Sequence, residues 1–202
     1  MRKTARVPAI ITTLAAATAL VLTGCGSNDK TDKAHGTEPE TGTCPTAAAP
    51  ADAKPDWTFK GATGEVKVVA PTASHAPGIT VDTPFTVTET TIHTLHEGKG
   101  DRVITVDDMV SVCYVGVNGR DGKAFDSAYE RGTPASFPLT QVVSGFQKAI
   151  VGQKPGASVA VAMTPADGYG PMGGQADAGI RADDPLIFVL QIAAIDQTDG
   201  SE

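Results

Sequence analysis

The chain is poor in the side chains that most enzymes use for covalent or metal chemistry. Of 202 residues, three are cysteine, four are histidine and one is tryptophan, and aromatic residues together make up 5%. The histidines stand at positions 35, 75, 93 and 96, so the second half of the chain offers no Ser/His or Cys/His relay. His93 and His96 lie three apart in a stretch that reads as a strand, facing opposite sides, and are a poor pair for a shared metal. Cysteine and histidine spacings elsewhere suit no metal either, and nothing in the sequence implies a cofactor. Basic residues are also few, 16 against 23 acidic ones, a net charge of −7. That balance argues against a nucleic-acid partner and against electrostatic docking on anionic lipid. No internal repeat of about 20–50 residues is apparent.

One long apolar run is present. Arg2, Lys3 and Arg6 precede Val7 to Leu22, which is short for a transmembrane helix and about right for the apolar part of an export signal. The run closes on Leu22-Thr23-Gly24-Cys25, which resembles the bacterial lipobox. The resemblance implies removal of residues 1–24 and a diacylglyceryl thioether on Cys25, with palmitate-like acyl chains in the membrane. The alternative is an ordinary secretory peptide with a chance cysteine. Cleavage removes three of the 16 basic residues and none of the 23 acidic ones, leaving 13 against 23, or −10. The expected location is the extracytoplasmic face of the cell membrane, with the acyl chains rather than the protein surface as the anchor.

Residues 25–55 are rich in Thr, Ala, Pro, Gly and charge and lack aromatics, a composition that reads as a flexible tether. Residues 56–79 form a weakly apolar arm in which Trp57 packs onto the globular domain rather than binding ligand. Two cysteines remain in the exported chain, Cys44 and Cys113. An oxidising compartment favours their pairing, which would staple the end of the tether to a strand.

Residues 80–196 suffice for one domain with one core, followed by a tail at 197–202. Thr86 to Leu95 reads as a strand. Met109 to Gly116 alternates, with Val110, Val112 and Tyr114 on one face and Ser111 and Cys113 on the other, outward face. Gln141 to Val151 is the one convincing helix, with Val143, Phe146 and Ile150 in a stripe. Ala157 to Met163 and Leu186 to Ile195 are further strands. Between them Tyr169 to Asp184 forms a long glycine-containing loop, and loops of that length tend to be functional. The fold class expected is α+β, with about five antiparallel strands around one short helix.

In Gly122 to Gly132 the neighbours Phe125 and Asp126 would point to opposite faces of an extended strand unless it is bulged. Arg131 follows five residues after the acid. Taken alone, this is an edge hairpin with a surface ion pair. Tyr114, Phe125, Phe137, Phe146, Tyr169 and Phe188 recur at positions that could face a pocket, although each taken singly reads as core.

The motifs in order are Val-Cys-Tyr-Val-Gly at 112–116, Phe-Asp-Ser at 125–127, Arg131-Gly132, Val142-Val143-x-Gly145-Phe146, Gly156, Pro165, Tyr169-Gly170 and Leu186-Ile187-Phe188. This order resembles the FKBP-type peptidyl-prolyl cis-trans isomerases over about residues 88–195. The resemblance implies a proline pocket formed by Tyr114, Phe125, Asp126, Phe146, Tyr169 and Phe188, with Phe137 beside it. Val142 and Val143 match the pair at the helix start, where the second residue's backbone N–H meets a substrate carbonyl. Tyr169 would donate its hydroxyl to another carbonyl, and Arg131 and Tyr114 would hold the Asp126 side chain. Implied partners are proline-containing exported polypeptides and macrolides such as rapamycin, bound by a monomer. Three departures stand out: Phe146 where tryptophan is common, Ala135 in place of a rim aromatic, and Met172, Asp177, Asp183 and Asp184 in place of an Ile-Pro-Pro run. These motivate a rival reading as an FKBP-like peptide-binding or chaperone lipoprotein with little turnover. A solute-binding or adhesin lipoprotein fits a small acidic single domain poorly.

Overall fold

The apolar strands of the second half have both faces covered, each by a different partner. The computed structural model describes residues 42–196, so the expected signal segment 1–24, the lipidation site Cys25 and the tail 197–202 lie outside the described residues. The strands are β1 (Trp57–Lys60), β2 (Thr63–Val69), β3 (Gly78–Thr86), β4 (Thr91–His96), β5 (Met109–Asn118) and β6 (Ala124–Ser127). A one-turn helix α1 (Ala128–Arg131) leads to β7 (Ala135–Pro138), α2 (Ser144–Ile150) and β8 (Ser158–Met163). A small ribbon, β9 (Gly174–Gln175) and β10 (Ile180–Arg181), precedes β11 (Leu186–Ile195).

Six of these strands form one antiparallel sheet in the order β4-β8-β11-β5-β6, with β7 paired to the first half of β5. The α+β expectation of a mostly antiparallel sheet around one short helix therefore holds, with six strands in place of about five. On the front face Val159, Val161 and Met163 of β8 and Leu186, Phe188 and Leu190 of β11 meet Phe146, Ala149 and Ile150 of α2. Gly145 permits this approach, because a Cβ there would lie 2.8 Å from the Met163 sulfur. On the back face Ala160, Ala162, Ile187 and Val189 meet Val66, Val68 and Phe85. All six residues of β8 are buried for that reason.

The back cover is a second sheet, β1-β2-β3, also antiparallel. The segment expected as a weak arm is thus a folded layer, and β3 runs across the boundary expected at residue 80. The single strand expected over Thr86 to Leu95 divides between two sheets: β3 ends at Thr86 in the back layer and β4 begins at Thr91 in the front one. Trp57 joins the layers as expected, stacked between Phe59 at 5.2 Å and His93 of β4 at 5.4 Å. Burying a side chain such as Val66 or Val68 is worth about 1.5–3 kcal/mol, so a few such residues suffice to hold the layer.

Residues 42–55, the described end of the expected tether, run against the domain. Cys44 is bonded to Cys113 with a Cα separation of 5.7 Å, its N–H donates to the Gly132 carbonyl at 3.0 Å, and Ala76 N–H donates to the Ala47 carbonyl at 2.8 Å. A crosslink and backbone hydrogen bonds replace the apolar burial that the composition lacks. Cys113 lies on the outward face of β5 and is still buried, because Cys44 covers it.

Candidate active site

β5 and β11 pair with Tyr114 opposite Leu190 and Phe188 opposite Gly116, which puts both rings on the front face against the first turn of α2. Gly116 leaves room there. A Cβ would collide with the Phe125 ring and lie 2.7 Å from the Phe188 ring. Phe125 reaches that position through an irregularity in the β5–β6 pairing between Gly116 and Val117. The same irregularity lets both Phe125 and its neighbour Asp126 line one cavity, the bulged alternative to an ordinary strand.

The cavity has a volume of about 360 Å³. Phe146 on α2 makes its floor, edge-on to Phe188 at 5.3 Å and to Tyr114 at 5.8 Å. Phe137 closes one side, 5.7 Å from Tyr114, and Phe125 closes another, 5.5 Å from Phe188. Val142 and Val143 enter from the chain leading into α2, and Tyr169 faces them from the loop after β8. Edge-to-face contacts of this kind each contribute about 0.5–1.5 kcal/mol beyond burial and hold the rings in fixed orientations.

One charged network borders this apolar space. The Tyr114 hydroxyl donates to Asp126 Oδ2, Arg131 Nη1 donates to Asp126 Oδ1 at 2.5 Å, and Arg131 Nη2 donates to the Tyr114 oxygen at 3.1 Å. The Arg131 guanidinium also lies 5.7 Å from the Tyr114 ring centre. Burial works to raise the Asp126 carboxyl, but the Tyr114 and Arg131 hydrogen bonds outweigh it and hold the group below the usual carboxylate range. Tyr114 is pushed up to about 12, first by burial and then by the bond to Asp126. Tyr169 is raised by burial and by the Asp126 charge, and among the described residues its hydroxyl makes no hydrogen bond. The site at neutral pH is therefore a fixed carboxylate, a fixed guanidinium and two neutral phenols.

α1 positions Arg131. Ser127 caps the helix by accepting the Glu130 N–H at 3.1 Å, and Gly132 ends it at φ 72°. Ser127-x-x-Glu130 is a capping signature that the sequence reading left unused. Nine of the ten expected pocket residues line the cavity: Tyr114, Phe125, Asp126, Phe137, Val142, Val143, Phe146, Tyr169 and Phe188. Arg131 acts on it through Asp126 and Tyr114. Ala135 sits on β7 opposite Val112 and is not among the residues that line the cavity.

Sequence reasoning missed Thr140, Gln141 and Met172, which complete the lining. Met172 is 63% exposed at the mouth, and a large apolar side chain in a Gly-rich loop is the signal that could have found it. That loop is also more ordered than its composition suggests. Asp184 is buried and accepts from Asn118 at 2.6 Å, Arg120 Nε at 2.9 Å and Arg181 N–H at 2.9 Å, which ties the β9–β10 ribbon to the end of β5. Desolvation works against its charge, but Arg120, Arg181 and Asn118 together hold the carboxyl below its ordinary value.

Comparison with known proteins bears on this arrangement. The sequence pattern of the FKBP-type peptidyl-prolyl cis-trans isomerases matches residues 100–193. An FK506-binding protein of Streptomyces anulatus is 36% identical over 107 residues, covering 52% of this chain and 84% of that protein. The peptidyl-prolyl cis-trans isomerase Mip of Coxiella burnetii is 38% identical over 103 residues, half of this chain, and the chain spans only 42% of that protein's length. A crystal structure of a peptidyl-prolyl cis-trans isomerase from Pseudomonas syringae shares 30% identity with a TM-score of 0.47, over 54% of this chain and 76% of that one. The chain belongs to the FKBP-type peptidyl-prolyl cis-trans isomerase family.

Proposed function

We propose that the protein is a peptidyl-prolyl cis-trans isomerase that acts on Xaa-Pro bonds of exported polypeptides. One observation carries the reading: a cavity lined largely by aromatic rings, with room for a proline and its flanking backbone, is bordered by one carboxylate already satisfied by Tyr114 and Arg131. An Xaa-Pro bond rotates over a barrier of about 18–20 kcal/mol, because amide resonance gives C–N partial double-bond character. Water bound to the carbonyl supports that resonance in the planar state. An aromatic pocket strips the water away, and the twisted amide, with a less polar carbonyl, loses less by it. Desolvating an amide costs about 2–7 kcal/mol, and each 1.36 kcal/mol of differential effect is roughly tenfold in rate, so part of that range suffices. Phe146 supports the ring of proline, Tyr169 and the Val143 N–H meet flanking carbonyls, and Asp126 orients the field without moving a proton.

In this reading Cys25 carries the lipid and the protein works as a monomer on the extracytoplasmic face of the membrane. Replacing Cys25 by Ser would then move the protein from the membrane fraction to the soluble one. Macrolides such as rapamycin would compete for the same cavity. A second reading, a peptide-holding module with little turnover, is favoured by Ala135 in place of a rim aromatic and by the exposed Met172. Two assays separate them. An isomerase accelerates cis-to-trans exchange of an Xaa-Pro peptide and loses the effect on adding rapamycin. A holding module suppresses aggregation of a client lacking proline and leaves the exchange rate unchanged.

A further inference from the structure

Two walls of the cavity come from segments that are separate in the chain. The Val142–Val143 wall is continuous with α2, and the Tyr169 wall stands on the loop after β8. One side chain joins them. Asp167 Oδ1 accepts from Ser144 Oγ at 2.6 Å and from Lys148 Nζ at 2.7 Å, and Oδ2 accepts from Lys148 at 2.9 Å. Ser144 directly follows Val143, and Asp167 stands two residues before Tyr169. The other approach to the helix start is held as well, since Gln147 Nε2 donates to the Leu139 carbonyl at 2.8 Å. Among the described residues no other side-chain hydrogen bond ties the first turn of α2 to the Tyr169 loop.

We propose that Asp167 is a positioning residue, which through Ser144 and Lys148 sets the gap between the Val143 backbone and the Tyr169 hydroxyl. The inference rests on reading the cavity as a proline site, and it assigns a role to residues outside the cavity lining. Lys148 and Ser144 hold the Asp167 carboxyl down to about 2, so the link is charged throughout the physiological range. Lys148 is 53% exposed and the pair is close to solvent, so its weight in global stability is small. Its weight in geometry is larger, because misplacing a substrate-facing group by about 1 Å can cost on the order of 10²-fold in rate.

The test compares wild type with Asp167→Ala, Asp167→Asn and Lys148→Met, reading kcat and KM for one Xaa-Pro peptide by NMR exchange and Tm by calorimetry. Expected is a kcat/KM about tenfold lower for Asp167→Ala with Tm within about 3 °C of wild type, and a smaller loss for Asp167→Asn, which keeps the Ser144 bond. The loss falls on kcat as well as KM, since the gap is matched to the twisted amide. A kcat/KM within twofold of wild type for Asp167→Ala, or a loss that merely follows the fraction of unfolded protein, overturns the proposal. If the wild type shows no turnover, the isomerase reading fails by itself and the same variants are read by peptide Kd. There, binding about fivefold or more weaker supports the positioning role, and binding within twofold of wild type overturns it.

Discussion

The two faces of the central sheet carry residues from the same strands and put them to opposite uses. On β11, Phe188 faces front into a cavity, while its neighbours Ile187 and Val189 face back into a dry layer of β2 and β3. On β5, Tyr114 borders the cavity and Val117 joins the back core. The fully buried residues of the back face are aliphatic apart from Phe85, with Trp57 and Phe59 packed against them. The front face adds to its aliphatic core a group of rings that pack edge-to-face around an unfilled space. The back thus supplies the sheet's second cover, and the site is the ring-lined space at the front.

This contrast can be broken one side at a time. Phe85→Ala opens the fully buried back core and is expected to cost about 3–5 kcal/mol in denaturant unfolding. The exchange activity per folded molecule should stay within twofold of wild type, because Phe85 does not line the cavity. Reducing the Cys44–Cys113 bond frees residues 42–55 from β5 and lowers stability by about 2–4 kcal/mol in the same assay, with an intact mass about two hydrogens heavier after reduction. Tyr114→Phe keeps the ring and removes the hydroxyl that Asp126 accepts. It should lower kcat/KM about tenfold, or 1.4 kcal/mol, with little change in the unfolding midpoint.

The smallest effect expected is that of pH. Asp126 lies below the ordinary carboxylate range in the folded state, so its pairing contributes stability above the unfolded pKa and loses it as pH falls through the folded value. Tyr114, raised to about 12, stays neutral well above pH 8. Both groups thus keep one charge state between about pH 5 and 9, and kcat/KM should be flat across that window. A bell-shaped profile centred there would show that a titrating group takes part in the step.

The front face was far more legible in the sequence than the back. Tyr114, Phe125-Asp126, Val142-Val143 and Phe146 fall in short runs whose order is informative before any contact is known. The back layer has no such runs. Trp57, Phe59, Val66 and Val68 look like a weak arm because their partners are a hundred residues away, on the second apolar faces of β8 and β11. The clue was present in Ile187 and Val189, since a strand apolar on both faces needs two covers. Composition alone reads the described end of the tether as flexible, and the Cys44–Cys113 bond that the two remaining cysteines suggested is what ties it to β5. The link at Asp167 was invisible because Ser144 and Lys148, one helical turn apart, gain a partner only when the loop after β8 folds back over them.

The most direct measurement compares cis-to-trans exchange of an Xaa-Pro peptide with equal amounts of wild type and of a folded Tyr114→Ala/Asp126→Ala variant, read by NMR at neutral pH. A desolvating pocket ordered by the Tyr114–Asp126–Arg131 network predicts clear acceleration by wild type and at least a tenfold loss in the variant. Equal exchange rates for the two proteins would contradict it.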